Sequence, residues 1–206
     1  MLNAEEIELL ADQVALRKAS DSPLYIWVVG MSGAGKTFVL GRMASTLRQQ
    51  TTVLTFNDWD FIYAEVLADT EQLYHRTMPD GMLLLTNSHI FEVAIDKLVA
   101  TLPTCTSNYV LIELGRGTDK HGLVNYGYSQ FFPKVSSQVM RNSVFLYLVC
   151  PFEERVRRNL LRSTLLTTSE GGHQLPQSAM EDRNREDDIH LWIDYLGPQI
   201  IMVDNS

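Results

Sequence analysis

Cysteine and positive charge are both scarce in this sequence of 206 residues. The two cysteines, Cys105 and Cys150, lie far apart and outside any Cys/His cluster, so we expect neither a zinc site nor a disulfide framework. A reducing compartment fits this cysteine usage best. Only 17 Lys and Arg stand against 25 Asp and Glu, which gives a formal net charge of −8. Such a chain lacks the broad basic surface of duplex DNA-binding proteins, so nucleic acid is not expected as its main partner.

Long apolar runs are also missing. None reaches the roughly 18 residues that a membrane span requires, and the acidic, amphipathic first stretch is not typical of a signal peptide. We therefore expect a cytoplasmic protein without a membrane partner. The length favours a single domain over residues 1–206, while the oligomeric state stays open and a homodimer is one alternative.

The apolar residues that are present form five short runs rich in β-branched and aromatic side chains. Because these runs are nearly continuous rather than alternating, they predict strands of a parallel sheet that is covered on both faces. Stretches of helical length separate them, and this alternation predicts an α/β fold with a doubly wound sheet. The predicted strands are 24–29, 52–56, 109–114, 144–149 and 200–203, and the predicted helices are 3–19, 36–49, 61–74, 87–102, 152–164 and 187–196.

One segment carries a specific chemical signal, because it matches the phosphate-binding pattern GxxxxGK[ST] between a predicted strand and a predicted helix. Glycines let backbone N–H groups face phosphate oxygens, and the helix N-terminus adds partial positive charge. In this pattern Lys36 contacts the β- and γ-phosphates and acts in catalysis, while Thr37 offers its hydroxyl to Mg²⁺. The segment is Gly30-Met31-Ser32-Gly33-Ala34-Gly35-Lys36-Thr37, called the phosphate loop below.

The phosphate loop lies about 30 residues from the start, and four further predicted strands follow it. In this the chain resembles P-loop small-molecule kinases of the nucleoside and nucleotide kinase-like group. The resemblance implies a sheet of strand order 2-3-1-4-5 between helices, and a small lid at about residues 152–188. It also implies ATP and Mg²⁺ as cofactors. The implied activity is phosphoryl transfer to a small molecule: a nucleoside, a nucleotide or a related hydroxyl-bearing metabolite.

Two acidic residues, Asp58 and Asp60, follow the second predicted strand. Ligands of open α/β sheets bind at the carboxyl ends of strands, so these side chains are expected near the phosphate loop. They resemble the Asp of uridine kinases and nicotinamide riboside kinases that accepts the proton of the attacking hydroxyl. Asp58 is our first candidate for this base, with Asp60 left open. The alternative is that one of the pair only caps the following helix.

The third predicted strand ends in Glu113, and Arg116 follows. Deoxynucleoside kinases carry an adjacent acid–arginine pair after this strand; here the two residues are three apart, which weakens the resemblance. Glu113 also resembles a displaced Walker B acid that would organise the metal opposite Thr37. We therefore predict catalytic roles for Glu113 and Arg116, and metal binding by Thr37 and Glu113.

Positive charge reappears in the helix predicted after the fourth strand. Arg155, Arg158 and Arg162 are spaced three and four residues apart and share one helical face, while Arg157 lies elsewhere. The stripe resembles the lid arginines that cover the phosphates in nucleotide kinases, and Arg158 and Arg162 are the leading catalytic candidates. The alternative is a solvated face paired with nearby glutamates.

Two polar stretches, 115–129 and 167–188, do not fit the strand–helix alternation. Loops of this length in a compact domain are usually functional or disordered, and we interpret the first as a substrate loop and the second as part of the lid. A different function class stays open, namely a P-loop ATPase or a nucleotide-dependent switch that acts on a protein partner. A non-catalytic nucleotide-binding module is a third alternative.

Overall fold

The computed structural model describes residues 2–18, 22–78, 83–118, 127–165, 175–183 and 185–206, with the backbone alone at 162–165 and 183. Five of its strands form one parallel sheet of order β2-β5-β1-β6-β7, and β3 and β4 form a separate antiparallel hairpin. Numbered within the five-stranded sheet, this order is the expected 2-3-1-4-5. The strands are β1 (Leu24–Val29), β2 (Val53–Asn57), β3 (His75–Thr77), β4 (Leu83–Leu85), β5 (Tyr109–Leu114), β6 (Ser143–Val149) and β7 (Ile200–Asp204).

Helices lie on both faces of this sheet, so the predicted α/β architecture is confirmed. The first two helices pack with alternate residues of the central strands into one core, and the second core lies on the opposite face. Every residue of β1 and β5 is buried, which explains why their sequences do not alternate. The helices are α1 (Ala4–Ala15), α2 (Lys36–Arg48), α3 (Asp58–Ala68), α4 (His89–Thr101), α5 (Tyr128–Phe131), α6 (Ser137–Arg141), α7 (Phe152–Leu165), α8 (Gln177–Arg183) and α9 (His190–Leu196).

The helix predicted at 61–74 differs most from the structure. The observed α3 begins and ends earlier, and the β3-β4 hairpin that follows was not predicted. The carboxylate of Asp69 accepts hydrogen bonds from the backbone N–H groups of Leu73 and Tyr74, at 3.0 and 2.8 Å. Such side-chain acceptors compete with the helical hydrogen bonds and turn the chain away.

Smaller differences affect other predicted elements. The helix predicted at 3–19 ends at Ala15, and that predicted at 187–196 begins at His190. The stretch interpreted as a substrate loop includes the start of α5, and the stretch interpreted as part of the lid contains α8. Residues 119–126, 166–174 and 184 lie outside the described residues. Over the described ranges, no helix combines the length and the apolar character needed to cross a membrane.

Candidate active site

The phosphate loop follows β1 directly, as its sequence pattern requires. Gly33 and Gly35 have φ angles of +85° and +91°, which residues with a Cβ rarely adopt. Gly33 also allows a close approach, because a Cβ there would lie 2.7 Å from the backbone oxygen of Arg155. Gly35 is the N-cap of α2 and, within the described part of the chain, no side chain caps this helix. The first turn of α2 therefore presents its amide groups to a ligand at the loop.

Glu113, the acid predicted to organise the metal, is buried at the end of β5 beside the phosphate loop. The hydroxyl of Thr37 donates to Glu113 Oε1 at 3.0 Å, and the ammonium of Lys36 lies 4.0 Å from the same oxygen. On the other side, Asn57 Nδ2 donates to Glu113 Oε2 at 3.3 Å. The parallel register aligns Glu113 with Asn57 across β2 and β5, so the sheet itself brings these groups together.

The pair of Thr37 and Glu113 fits a magnesium ion chemically. A hydroxyl and a carboxylate are hard oxygen donors, and Mg²⁺ is usually held by one or two protein oxygens together with substrate phosphates and water. Among the described residues, no group of three or more His, Cys, Asp or Glu could hold a metal on its own. A metal at this position would therefore depend on bound phosphates for its remaining ligands.

Asp58 lies at the same edge of the sheet as the first residue of α3, and it is buried. Its Oδ2 accepts the backbone N–H of Gly115 at 3.0 Å and lies 3.6 Å from Arg116 Nη2. Within the described ranges no hydrogen bond reaches Oδ1, which leaves one carboxylate oxygen for a ligand hydroxyl. The capping alternative does not hold for this residue, because Asn57 caps α3 by accepting the N–H of Trp59 at 2.9 Å.

Arg116 holds Asp58 from a buried position, with 1 % of its surface exposed. Its guanidinium lies over the rings of Phe91 and Phe131, at 5.9 and 5.7 Å from their centroids. These contacts fix the cation beside the carboxylate despite the three-residue spacing to Glu113. The structure thus makes Arg116 a neighbour of Asp58, and its catalytic role stays a prediction.

Asp60, the second candidate base, is exposed on α3. Desolvation raises the pKa of its carboxyl, and the negative charge of Asp58 raises it further. The carboxyl of Asp60 is therefore protonated more easily than that of an ordinary aspartate. Trp59, between them, stacks on Tyr63 with ring centroids 6.1 Å apart.

Tyr128 connects the start of the phosphate loop to β5. The N–H of Gly30 donates to the Tyr128 hydroxyl at 2.9 Å, and this hydroxyl reaches the backbone oxygen of Leu114 at 3.4 Å. Burial, more than any other factor, holds the pKa of Tyr128 well above its ordinary value. Tyr128 is held in turn by Asp188, whose carboxylate accepts its backbone N–H at 2.7 Å and that of Ser129 at 2.9 Å. Tyr128 is therefore a core residue.

The arginines of α7 have different surroundings. Arg155 is buried, donates to the backbone oxygens of Cys150 and Arg185 at 3.1 and 2.9 Å, and lies over Phe152. Those contacts tie the start of α7 to the segment that precedes α9. The backbone of Arg155 itself lies against Gly33 of the phosphate loop.

Arg157 and Arg158 share one partner, Glu154. Two hydrogen bonds from the exposed Arg157, assisted by one from Arg158, lower the pKa of Glu154 to about 2. The side chain of Arg158 is only 10 % exposed, and its Nη1 is buried without a hydrogen-bond partner in the described residues. This nitrogen lies 3.9 Å from where a Cβ on Gly35 would be. Of the two leading candidates, Arg158 thus borders the loop, whereas the side chain of Arg162 lies outside the described residues.

A cavity of a size typical of small-ligand sites opens between the phosphate loop and the segment before α9. Its volume is 440 Å³, and Met31 lies in its wall. Across the cavity, the hydroxyl of Tyr147 donates to Asp187 at 3.0 Å, and burial raises the pKa of both groups. The site therefore has room beside the loop for more than a phosphate group.

Several residues of the site were not predicted from the sequence. Asn57 immediately precedes Asp58, so the preference for Asn at helix N-caps could have identified it. Asp188 and Asn205 carry no such local signal, because their partners are distant in the chain. Lys120, His121 and Tyr126, in the stretch interpreted as a substrate loop, and His173, in the stretch interpreted as part of the lid, lie outside the described residues.

No protein-family model and no curated protein sequence matches this chain. Solved structures do match. One is a possible uridine kinase from Bacillus stearothermophilus, with 17 % identity, a TM-score of 0.43, and coverage of 75 % of this chain and 85 % of the other. Another is a kinase candidate from Chloroflexus aurantiacus, with 14 % identity, a TM-score of 0.47, and coverage of 90 % and 89 %.

A third match comes from the PezAT chromosomal toxin–antitoxin system of Streptococcus pneumoniae, at 14 % identity and a TM-score of 0.47. It covers 100 % of this chain and 81 % of the other. The strand order and the contacts of this chain itself define its site.

Proposed function

We propose that this protein binds ATP and Mg²⁺ at the phosphate loop and transfers the γ-phosphoryl group to a hydroxyl of a small molecule held beside Asp58. The observation that carries the proposal is the arrangement of Asp58. Its carboxylate is buried at the same sheet edge as Thr37 and Glu113, fixed through one oxygen by Gly115 N–H, with the other oxygen available. A nucleotide-binding module alone does not require a positioned carboxylate of this kind.

The position of each residue in the site determines the role that we propose for it. The amides of the loop and the ammonium of Lys36 would hold the phosphates, while Thr37 and Glu113 would hold Mg²⁺, which neutralises charge on the phosphates when bound. Asp58 Oδ1 would accept the proton of the attacking hydroxyl, and Arg116 would keep that carboxylate oriented. Arg158 would add positive charge at the loop. A nucleoside, a nucleotide or a related metabolite would be the acceptor.

The test compares Asp58→Asn with Asp60→Asn. ATP consumption is measured with pure protein alone and with panels of nucleosides, nucleotides and sugars. Asn keeps the shape of the side chain but cannot take a proton, so Asp58→Asn is expected to lower transfer by about 10²- to 10⁴-fold. Asp60→Asn, the matched control on the same helical turn, is expected to retain most activity, and both variants should bind ATP.

Two results would count against the proposal in different ways. Equal turnover of Asp58→Asn and the wild type with an identified acceptor would remove Asp58 as the base. ATP hydrolysis that no acceptor accelerates would favour the alternative class, a P-loop ATPase or nucleotide-dependent switch with a protein partner.

A further inference from the structure

Asn205, the residue after β7, is buried beside the phosphate loop, although nothing in the proposed chemistry requires it. Only 1 % of its surface is exposed. Its Nδ2 donates to the backbone oxygen of Ala34 at 2.6 Å, and its Oδ1 accepts the N–H of Leu2 at 2.7 Å. Both ends of the amide are therefore in use, and the donor end faces the loop.

The backbone of Asn205 is fixed as firmly as its side chain. Its N–H donates to the oxygen of Val149 at 2.9 Å, which continues the pairing of β6 and β7. Its carbonyl accepts Arg158 Nη2 at 2.9 Å. Asn205 thus contacts both the phosphate loop and Arg158, whose Nη1 has no hydrogen-bond partner within the described ranges.

Asn205 also lies against the strained part of the loop. Gly35 has a φ of +91°, and a Cβ on it would be 2.5 Å from Asn205 Nδ2. Ala34, whose backbone oxygen accepts the hydrogen bond from Asn205, immediately precedes Gly35. The bond therefore holds the peptide between Ala34 and Gly35, which leads into the first turn of α2. The orientation of that peptide decides where the amides of the loop point.

We propose that Asn205 is a positioning residue for phosphate binding: its side chain sets the path of the loop at 34–35, and its carbonyl places Arg158 beside it. The inference rests on the phosphate-binding part of the proposed function and needs no phosphoryl acceptor. The affinity for the phosphates of a nucleotide therefore depends on a residue about 170 positions away in the chain.

The main test is Asn205→Asp, which keeps the size of the side chain and an acceptor for Leu2 N–H. It places an anionic oxygen opposite the carbonyl of Ala34, where the wild type has a donor. Binding of methylanthraniloyl-ATP, measured well below the melting temperature, is expected to weaken about tenfold, as for the loss of one buried hydrogen bond. Asp204→Asn is the matched control at the neighbouring exposed position, with unchanged affinity, and Lys36→Ala defines the background.

A purely structural role predicts a different result. It would lower the melting temperature of Asn205→Asp but leave the dissociation constant and the amide resonance of Gly35 at their wild-type values, and this result would overturn the proposal. Positioning predicts that the Gly35 resonance shifts together with the loss of affinity. Leu2→Pro is a second variant that leaves Asn205 intact and removes only the donor that orients its amide. It is expected to weaken binding by about threefold, and unchanged binding in this folded variant would also contradict the inference.

Binding and transfer separate this inference from the proposed function. A wild type that binds the analogue but phosphorylates no acceptor contradicts the kinase and leaves the role of Asn205 standing. An Asn205→Asp variant that binds like the wild type contradicts only the positioning role. A wild type that does not bind the analogue contradicts both.

Discussion

The two sides of the phosphate loop hold opposite charges, and their charged groups are used differently. On the acidic side, Asp58 and Glu113 are buried at strand ends. Glu113 contacts Lys36 and Thr37, the groups proposed to hold phosphate and Mg²⁺, and Asp58 accepts the N–H of Gly115. On the basic side, Arg155 donates to backbone oxygens and Arg157 pairs with Glu154 in solvent. Arg158 keeps one nitrogen that has no hydrogen-bond partner among the described residues. The charge of a side chain near the phosphate loop is therefore a poor guide to the role of that residue. Its hydrogen-bond and ion-pair partners decide the role.

The strongest test of the acidic side is Glu113→Gln, which keeps the hydrogen-bonding shape but removes the charge. If Glu113 organises Mg²⁺ with Thr37, the metal shifts and the Mg²⁺-dependent rate should fall about a hundredfold. Steady-state rates over a range of Mg²⁺ concentrations measure this, with Glu8→Gln on the exposed face of α1 as the control. A wild-type dependence on Mg²⁺ would show that Glu113 is only a strand-end acid.

Substitutions of the three arginines on the basic side are expected to affect different properties of the protein. Arg158→Gln is expected to lower phosphoryl transfer about tenfold, because it removes charge beside the loop. Arg155→Gln should instead lower the free energy of unfolding by about 2 kcal/mol, since it removes two charged hydrogen bonds to backbone oxygens. Arg157→Gln, on the exposed face, should change either quantity little. Rates and urea denaturation check this order, and a larger rate loss for Arg155→Gln at equal stability would reverse the assignment.

The smallest effect is expected at Asp187, in the cavity wall. Burial raises the pKa of this carboxyl above its ordinary 3.8, so the folded state disfavours its ionisation. As pH rises through the raised pKa the unfolded chain ionises more easily, and the wild type loses stability there. The Asp187→Asn variant should therefore gain stability relative to the wild type as pH increases from about 4 to 8. The gain is expected to be about 1 kcal/mol for each unit by which the pKa of Asp187 is raised.

Melting temperatures across that range measure this gain, with the exposed Asp194→Asn on α9 as the control. A difference between Asp187→Asn and the wild type that stays constant with pH would mean that Asp187 titrates as it does in the unfolded chain.

The sheet and the loop were predictable because their signals are local. Continuous apolar runs identified all five strands of the sheet within one residue at each end, and the glycines and Lys36 identified the phosphate loop. The β3-β4 hairpin was missed, because the turn at Asp69 depends on side-chain hydrogen bonds that helix periodicity does not contain. Asp58 and Glu113 could be proposed as site residues from the sequence because residues at the carboxyl ends of parallel strands lie at one edge of the sheet.

The arginine stripe shows where such prediction ends. Its spacing predicts that Arg155 and Arg158 share one helical face and that Arg157 lies elsewhere, and in the structure Arg155 and Arg158 are largely buried whereas Arg157 is exposed. The spacing could not distinguish the two by their partners: Arg155 donates to two backbone carbonyls, whereas Arg158 donates to Glu154 and to one backbone carbonyl. One partner of each comes from a distant segment, namely Arg185 for Arg155 and Asn205 for Arg158.

The sequence by itself determined the α/β class, the position of the phosphate loop and the identity of its lysine, because periodicity and glycine conformation act over a few neighbouring residues. Only the tertiary structure decided which charged groups are engaged, which oxygen of Asp58 is available, and that Asn205 holds the loop. These depend on burial and on hydrogen bonds between segments that the fold brings together, where an unpaired polar group is costly and each partner therefore matters.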